Sequence, residues 1–266
     1  MDIRSMKSLA AVPAVAVTLT LALAGCAKED TSTTTDSGIK LVEKGTLTIC
    51  THLPYEPFEY TEGGKTVGFD PDVLKIAADA NDLKTKVIDI SWETIVSGEA
   101  LNTGKCDVAA GAMTITPERE NVMDFTDPYF EATQALMTKK GSGISSLDQL
   151  AGKTVAVQDA TTGADYVKKN APDDTKIISF EDSALMESAV RTGKADAGVN
   201  DNGLLAYYVS QNADDVEVTT EFQTGEKYGF SVKKGGNQAL LDAINKGIAS
   251  PEYDKVYKKW FGKDPS

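Results

Sequence analysis

Two stretches of this chain, ETIVSGEALNTGKCDVAAGAMT (93–114) and FEDSALMESAVRTGKADAGVND (180–201), share one plan. Each has a helix-like segment, then Thr-Gly-Lys, then a residue followed by Asp, then a strand of small residues. Gly104 and Gly193 stand where a helix is expected to end in a left-handed residue, a conformation that glycine adopts without steric penalty. The repeat therefore predicts two lobes of similar plan.

Strand-like and helix-like segments alternate along the chain, which is typical of α/β folds with mainly parallel sheets. Strands are predicted over residues 46–50, 86–90, 106–113, 154–158, 195–200 and 228–234. Helices are predicted to begin at Asp70-Pro71 and Thr116-Pro117, with Asp or Thr as the N-cap, and to cover 237–248 and about 253–260. Ligands of open α/β sheets bind beyond the carboxyl ends of the strands, so two facing lobes would present two such ends to one cleft.

The composition excludes one class of partner. The 266 residues carry 40 Asp and Glu against 27 Lys and Arg, a net charge of −13. A polyanion such as DNA or RNA would be repelled, so no nucleic-acid partner is expected.

The N-terminus predicts export. Residues 1–25 read as a signal peptide, with Arg4 and Lys7 ahead of an uncharged run from Leu9 to Ala24. The run ends in Leu-Ala-Gly-Cys26, which resembles the lipobox of bacterial lipoproteins and implies a lipid on the Cys26 thiol. The alternative is a transmembrane anchor, but the run is shorter than the ~20 residues that a spanning helix needs.

The polar segment that follows, residues 26–40, is rich in Thr and Ser and is expected to be a flexible tether, with the folded body starting near Leu41. Cys50 and Cys106 then remain as a pair in an exported body, where oxidation is permitted. The sequence leaves two alternatives open, a disulfide bond or two buried thiols, because it does not show the distance between them.

Five stretches of the body carry a family resemblance: LPYEPFEY (53–60), VGFDPDVLKIAA (67–78), GAMTITPERENVMDFTDPYF (111–130), TVAVQDATTG (154–163) and ADAGVNDNGLLAYYV (195–209). They resemble the polar amino-acid-binding family of periplasmic solute-binding proteins, the extracellular receptors of ABC importers. The likeness covers nearly all of residues 41–266.

The resemblance implies the architecture. It places lobe I at residues 41–130 plus 227–266 and lobe II at 131–226. Two strands near 129–133 and 224–228 would join the lobes as a hinge.

The resemblance also implies a site for a free amino acid, which needs a cation for its carboxylate, an anion for its ammonium, hydrogen-bonding groups and an apolar wall. These roles fall on Arg119, on Asp201, on Thr114 with the backbone of Ala112 and on Thr161 and Thr162, and on the rings of Tyr55 and Trp92. A guanidinium can meet a carboxylate with two parallel hydrogen bonds. No catalytic or metal-binding residue is expected.

Each of these assignments has a structural alternative. Arg119 could be a solvated residue of a helix's first turn, Asp201 only a helix cap, and Tyr55 a core residue. The segment around Trp92 is about two residues longer than the usual family spacing, which leaves the alignment of Trp92 open.

His52 departs from the family pattern. Family members that bind arginine, lysine or histidine tend to carry Asp at this position, three residues before the aromatic ring of Tyr55. A histidine here disfavours a basic ligand and favours a neutral polar or acidic amino acid. The alternative is an exposed histidine at a strand end.

The predicted function is capture of a small polar solute, most consistent with an amino acid, by a monomeric, lipid-anchored receptor outside the cell. Its partners would be the permease and ATPase subunits of an ABC importer, and no cofactor is expected. Two rivals share the fold: an exported enzyme resembling cyclohexadienyl dehydratase, and a ligand-sensing module. No G-x-S-x-G, H-E-x-x-H or phosphate-loop motif supports the enzyme.

Overall fold

The computed structural model describes residues 33–265. The predicted signal peptide and Cys26 lie outside the described residues. No helix among the described residues is long and apolar enough to cross a membrane.

The described chain alternates strands and helices. The strands are β1 (Thr33–Thr34), β2 (Lys40–Leu41), β3 (Thr46–Thr51), β4 (Tyr60–Glu62), β5 (Lys65–Val67), β6 (Lys84–Asp89), β7 (Val108–Ala109), β8 (Met123–Phe125), β9 (Phe130–Lys139), β10 (Thr154–Gln158), β11 (Lys176–Phe180), β12 (Ala197–Asp201), β13 (Val216–Tyr228) and β14 (Ser231–Lys233). The α-helices are α1 (Phe69–Asp79), α2 (Trp92–Val96), α3 (Glu99–Asn102), α4 (Pro117–Glu120), α5 (Thr162–Asn170), α6 (Ser183–Thr192), α7 (Asn202–Gln211), α8 (Gln238–Ile248) and α9 (Pro251–Phe261), and a 3-10 helix covers Leu147–Leu150.

Two five-stranded mixed sheets organise the body. The first has the order β6-β3-β7-β14-β8, with β3 parallel to β6 and β7 and with β14 antiparallel to its neighbours. The second has the order β11-β10-β12-β9-β13, with β10 parallel to β11 and β12 and with β9 antiparallel to its neighbours. We call the first sheet with α1–α4, α8 and α9 lobe I, and the second sheet with α5–α7 lobe II. The predicted two-lobed α/β fold is confirmed.

Each lobe has its own apolar core. In lobe I, aromatic rings cluster around Phe58, whose ring centroid lies 6.2 Å from that of Phe69. Tyr228, the last residue of β13, joins this cluster from the second sheet, with its ring centroid 5.4 Å from that of Phe58. In lobe II, aliphatic side chains such as Leu136 and Val155 fill the space between the sheet and its helices. Burial of these side chains supplies most of the favourable free energy of folding.

The internal repeat is visible in the structure as two helices that end alike. Gly104 has φ 69° and Gly193 has φ 80°, and both follow the last turn of a helix that leads into a sheet strand. The predicted left-handed helix ends are therefore confirmed. The strand over 154–158 and the helix opened by Thr116-Pro117 also form as predicted.

The strand predicted over 106–113 is wrong in its extent, since only Val108–Ala109 pairs as β7. The chain turns away after it because Gly111 (φ 136°) and Ala112 (φ 45°) adopt left-handed backbone conformations. The strand predicted over 228–234 is likewise divided between β13 and β14. Between them Phe230 donates its N–H to the Thr126 hydroxyl instead of to a strand partner.

Asp70 is not the N-cap that the sequence predicts. Helix α1 begins at Phe69, after Gly68, where an added Cβ would lie 1.9 Å from the Phe58 carbonyl oxygen. Asp70 is instead fully buried, and its carboxylate accepts hydrogen bonds from the backbone N–H groups of Gly111 and Ala112 at 3.1 and 2.9 Å. Its real partners come from a distant turn, which local sequence patterns do not reveal.

The folded body starts before Leu41, so the tether prediction is wrong for residues 33–40. Strands β1 and β2 pair in register Thr33 to Leu41 and Thr34 to Lys40. Ile39 is 1% exposed and belongs to the core of lobe I, which anchors this short hairpin.

Cys50 and Cys106 form a disulfide bond, with their Cα atoms 5.7 Å apart and a sequence separation of 56. The bond joins the end of β3 to the residue pair that precedes β7, within one cluster of buried side chains. It therefore closes a long loop of lobe I.

Reduction of this disulfide should lower the free energy of unfolding by about 2–4 kcal/mol, because the unfolded chain regains the freedom of the loop. Urea unfolding followed by circular dichroism, with and without dithiothreitol, measures the change. The double variant Cys50→Ala/Cys106→Ala is the control, since the reductant has no bond to break in it. Equal midpoints for the wild type with and without reductant would contradict the prediction.

Candidate ligand-binding cleft

A cavity lies between the two lobes. Its lobe I wall is formed by residues that follow β3 and β7 or lie on short helices: His52, Tyr55, Glu59, Trp92, Gly111, Ala112, Thr114 and Arg119. Its lobe II wall is formed by residues at the carboxyl ends of β10 and β12 and the start of α5: Gln158, Thr161, Thr162, Asn200 and Asp201. All nine ligand-binding residues that the sequence predicts thus line one cavity.

Arg119 is held in the wall by helix α4. The Thr116 side chain caps this helix by accepting the Arg119 N–H, and Pro117 occupies the first turn. The guanidinium donates from Nη1 to the Thr114 carbonyl at 2.8 Å and from Nη2 to the Ala160 carbonyl at 3.1 Å. Arg119 is only 8% exposed and makes no salt bridge to any described residue, and burial lowers its pKa. It is a buried cation with N–H donors to spare.

Trp92 completes the surroundings of Arg119. The guanidinium carbon of Arg119 lies 5.4 Å from the Trp92 ring centroid, and the indole Nε1 donates to the Ala160 carbonyl at 3.0 Å. An added Cβ on Gly111 would lie 2.8 Å from this ring, which explains the glycine. The structure therefore puts Trp92 against the cavity despite its unusual sequence spacing.

Asp201 occupies the opposite lobe. Its carboxylate accepts hydrogen bonds from the hydroxyls of Tyr55 (2.8 Å) and Tyr228 (2.5 Å) and from the Gln134 amide (2.5 Å). Although Asp201 stands at the N-cap position of α7, its side chain makes no cap hydrogen bond, so capping is not its role. Burial raises its pKa to about 6, while the Tyr228 hydrogen bond acts in the opposite direction.

Two predicted contacts, those of Ala112 and Thr161, look different at atomic detail. The Ala112 N–H is already bonded to Asp70, so only the carbonyl of Ala112 remains free to face a ligand. The Thr161 hydroxyl accepts from Ala164 N–H and donates to the Gln158 carbonyl, which makes it the cap of α5. Thr161 and Thr162, at the start of α5, line the cavity, and the first N–H groups of a helix favour an anion.

The lobes are in contact across the cleft. Tyr55 of lobe I donates to Asp201 of lobe II, and Arg119 and Trp92 of lobe I donate to Ala160 of lobe II. At the rim, the Ser183 hydroxyl donates to the Pro54 carbonyl at 3.0 Å. The structure therefore represents a closed cleft.

Four cavity residues were not predicted: Glu59, Gly111, Gln158 and Asn200. Gln158 and Asn200 are the last or next-to-last residues of β10 and β12, so the rule that ligands bind beyond strand ends could have found them. Glu59 had no such signal, because it enters the wall through a turn in which the Tyr55 N–H bonds to the Glu59 carbonyl.

No group of three or more His, Cys, Asp or Glu side chains among residues 33–265 is arranged to hold a metal ion. The chemistry of the cavity is that of hydrogen bonds and charge. One wall offers a buried cation and the other a buried carboxylate.

The sequence profile of the bacterial extracellular solute-binding proteins, family 3, matches residues 47–263. The chain belongs to this family of solute-binding proteins, and the resemblance seen in the sequence is confirmed.

Individual relatives agree with this assignment. A probable histidine-binding protein of Neisseria gonorrhoeae is 36% identical over 224 residues, which cover 81% of this chain and 83% of that protein. The glutamine-binding protein of an ABC transporter in Bacillus subtilis (strain 168) is 30% identical over 277 residues, 98% of this chain and 100% of that protein. The structure of an ancestral arginine-binding protein bound to glutamine has 40% identity and a TM-score of 0.77, covering 83% of this chain and 99% of that one.

Glu187, on helix α6, is another buried acid. It is 5% exposed, and one of its carboxyl oxygens has no hydrogen-bond partner within the described chain. Burial, reinforced by the charges of Glu56 and Asp182, raises its pKa from 4.5 to about 9. Between these two values the folded chain keeps a proton that the unfolded chain releases, so the free energy of unfolding falls as the pH rises.

Glu187→Gln should remove this dependence. Relative to the wild type, the variant's free energy of unfolding should be higher at about pH 8 than at about pH 5 by roughly 1–3 kcal/mol. The reason is that the wild type must keep Glu187 protonated at alkaline pH, whereas glutamine has no proton to lose. Urea unfolding at the two pH values measures it, with the exposed Glu181→Gln as control. A gain that is the same at both pH values would show that burial of the acid is not its cause.

Proposed function

We propose that this protein captures a free amino acid between its lobes and delivers it to an ABC importer. One observation carries the proposal: the buried cation of Arg119, without a salt bridge among the described residues, shares a small closed cavity with the buried carboxylate of Asp201. Burying an unpaired charge is costly, and a partner charge relieves most of the cost. A zwitterion supplies one partner for each wall.

The carboxylate of the ligand would pair with Arg119 and the first N–H groups of α5. Its ammonium group would donate to Asp201 and to the Ala112 carbonyl. Thr114 and Thr162, whose hydroxyl oxygens lie 3.4 Å apart across the lobes, would complete the hydrogen bonds. The rings of Tyr55 and Trp92, both from the lobe I wall, would pack against the apolar part of the ligand.

Closure of the lobes supplies the affinity. Micromolar binding needs about 8 kcal/mol, which for a ligand of about 10 heavy atoms is near 0.8 kcal/mol per atom, towards the efficient end for small ligands. One open lobe offers only half of the charge partners. The ligand stabilises the closed state because it contacts both lobes there.

The relatives named for amino acids support this class of ligand, although one is named for histidine and another for glutamine. The histidine at position 52, in place of an aspartate, favours a neutral polar or acidic amino acid over a basic one. His52 lines the cavity, so it is positioned to influence this choice.

We further propose that the protein acts outside the cytoplasm as a monomer, anchored at the outer face of a bacterial membrane through a lipid on Cys26. The signal-like residues 1–25 and the polar residues that follow Cys26 support this arrangement. The permease and ATPase subunits of the importer would be separate chains, and the closed lobes would dock on the permease.

Arg119→Ala or Asp201→Ala should weaken binding at least about thirtyfold, because loss of one side of a buried charge pair typically costs about 2–5 kcal/mol. The protein is first screened by titration calorimetry against the standard amino acids, and the tightest ligand is used for the variants. Circular dichroism melts should show that both variants stay folded, since the two side chains face a cavity. The ligand should be recovered unchanged after denaturation.

The matched controls are Arg191→Ala and Asp214→Ala, which remove the same kinds of charge from the exposed surface of lobe II. They should bind as the wild type does. If Arg119→Ala and Asp201→Ala also bind within about threefold of wild type while folded, the clamp is wrong. Chemical conversion of the solute, with prephenate tested as well, would favour the enzyme class instead.

A further inference from the structure

Helix α6 of lobe II touches lobe I at the rim of the cleft. The Ser183 hydroxyl, in the first turn of α6, donates to the Pro54 carbonyl of lobe I at 3.0 Å, and Ser183 is 1% exposed. Glu187 follows Ser183 by four residues, a spacing that puts two side chains on the same face of a helix. Glu187 therefore lies one turn further along the face of α6 that contacts lobe I.

The carboxyl group of Glu187 is buried without compensation. It is 5% exposed, and its Oε1 atom has no hydrogen-bond partner among the described residues. Arg191, the cation one turn further along α6, lies 3.7 Å from a carboxyl oxygen of Asp215 instead. A carboxylate in these surroundings would lose its hydration without gaining a partner. The neutral acid is thus the form of Glu187 that suits the closed cleft.

Titratable groups of three elements surround Glu187. They are Tyr55 and Glu56 in the rim loop of lobe I (residues 53–57), Asp182 at the N-cap of α6, and Tyr208 on α7. Burial, reinforced by the charge of Glu56 and then by that of Asp182, raises the pKa of Glu187 to about 9. Both of these charges are negative, and the stronger influence comes from the opposite lobe.

Parting of the lobes would remove a part of these surroundings. The hydrogen bond between Ser183 and Pro54 would break, and the rim loop with Glu56 would leave the face of α6. Water would then reach the Glu187 carboxyl, so its pKa would fall back towards the ordinary value of 4.5. Closure of the lobes therefore raises the pKa of Glu187.

We propose that Glu187 is a proton switch for the cleft: the lobes close with this carboxyl protonated, and its ionisation favours the open form. The inference rests on the proposed function, because it requires a solute whose binding closes the lobes. Since the closed form holds a proton that the open form releases, binding takes up a proton. This stabilisation of the closed form is complete below the pKa of the open form and is lost as the pH rises towards about 9. The affinity for the solute therefore falls with rising pH across this range.

Asp201 responds to the solute in the opposite direction. Three donors bond to its carboxylate, and the ammonium group of the amino acid would pair with it, so binding favours the charged form of Asp201. Glu187 is not among the residues that line the cavity, so binding acts on it through closure alone. The contribution of Glu187 is therefore the difference between the wild type and a variant without this acid.

The test is titration calorimetry of the wild type and Glu187→Gln at about pH 6 and about pH 8, with the standard amino acid that the wild type binds most tightly as the probe. Between the two pH values, the affinity of the wild type should fall at least about fivefold more than that of the variant, whose side chain has no proton to lose. In two buffers of different ionisation enthalpy, the wild type should take up at least about half a proton more for each probe molecule bound. The exposed Glu221→Gln on β13 is the control and should follow the wild type.

Glu56→Gln gives a second measurement from the opposite lobe. Without the charge of Glu56, ionised Glu187 is less unfavourable in the closed form, so the fall in affinity between the two pH values should be at least about twofold smaller than in the wild type. Equal pH dependence and equal proton uptake in the wild type and Glu187→Gln overturn the inference and leave the proposed function standing. If Glu187→Gln does not fold, Glu56→Gln decides, and a fall equal to that of the wild type overturns the inference. Absence of binding for every standard amino acid overturns the proposed function and the inference with it.

Discussion

A buried guanidinium without a carboxylate is the feature on which the cleft depends. Arg119 lies in a closed cavity, where its guanidinium lies against the Trp92 ring and, among the described residues, donates side-chain hydrogen bonds to the carbonyl oxygens of Thr114 and Ala160. These dipoles hold the side chain in position but leave its charge without a counter-ion. Closing the lobes around an empty cavity would therefore bury an uncompensated charge, which is costly. A ligand carboxylate removes that cost, so closure and binding are expected to occur together.

The rest of the structure holds the side chains of the two cleft walls in position. Asp70 fixes the Gly111-Ala112 turn, whose left-handed backbone leaves room for the Trp92 ring above Arg119. The disulfide between Cys50 and Cys106 ties together the strands that carry this wall. On the other lobe, three donors orient the carboxylate of Asp201. Two of them are the Tyr228 hydroxyl on β13 and the Gln134 amide on β9, the two strands that adjoin lobe I. The cleft is thus built from rigid elements, which is how precise ligand geometry is usually maintained.

Much of this could be predicted from the sequence. The repeat at Gly104 and Gly193 and the strand at 154–158 indicated the fold, because helix ends and buried strands have local signatures. The motif around Arg119 indicated the site, since capping by Thr116 and the strand-end rule are also local. Thus the predicted ligand-binding residues line one cavity in the structure.

What the sequence missed depends on contacts between distant segments. Asp70 looked like a helix cap because its local pattern fits one, but a turn 41 residues away supplies its partners. Glu59 carried no local signal in the sequence, yet it is buried and lines the cavity. Ile39 looked like part of a tether, yet it packs into lobe I.

The most direct test of ligand-coupled closure is small-angle X-ray scattering of the folded protein with and without a saturating concentration of its tightest amino acid. The radius of gyration should fall when the ligand is added to the wild type. An unchanged scattering profile at full occupancy would contradict closure of the lobes around a ligand that bridges them.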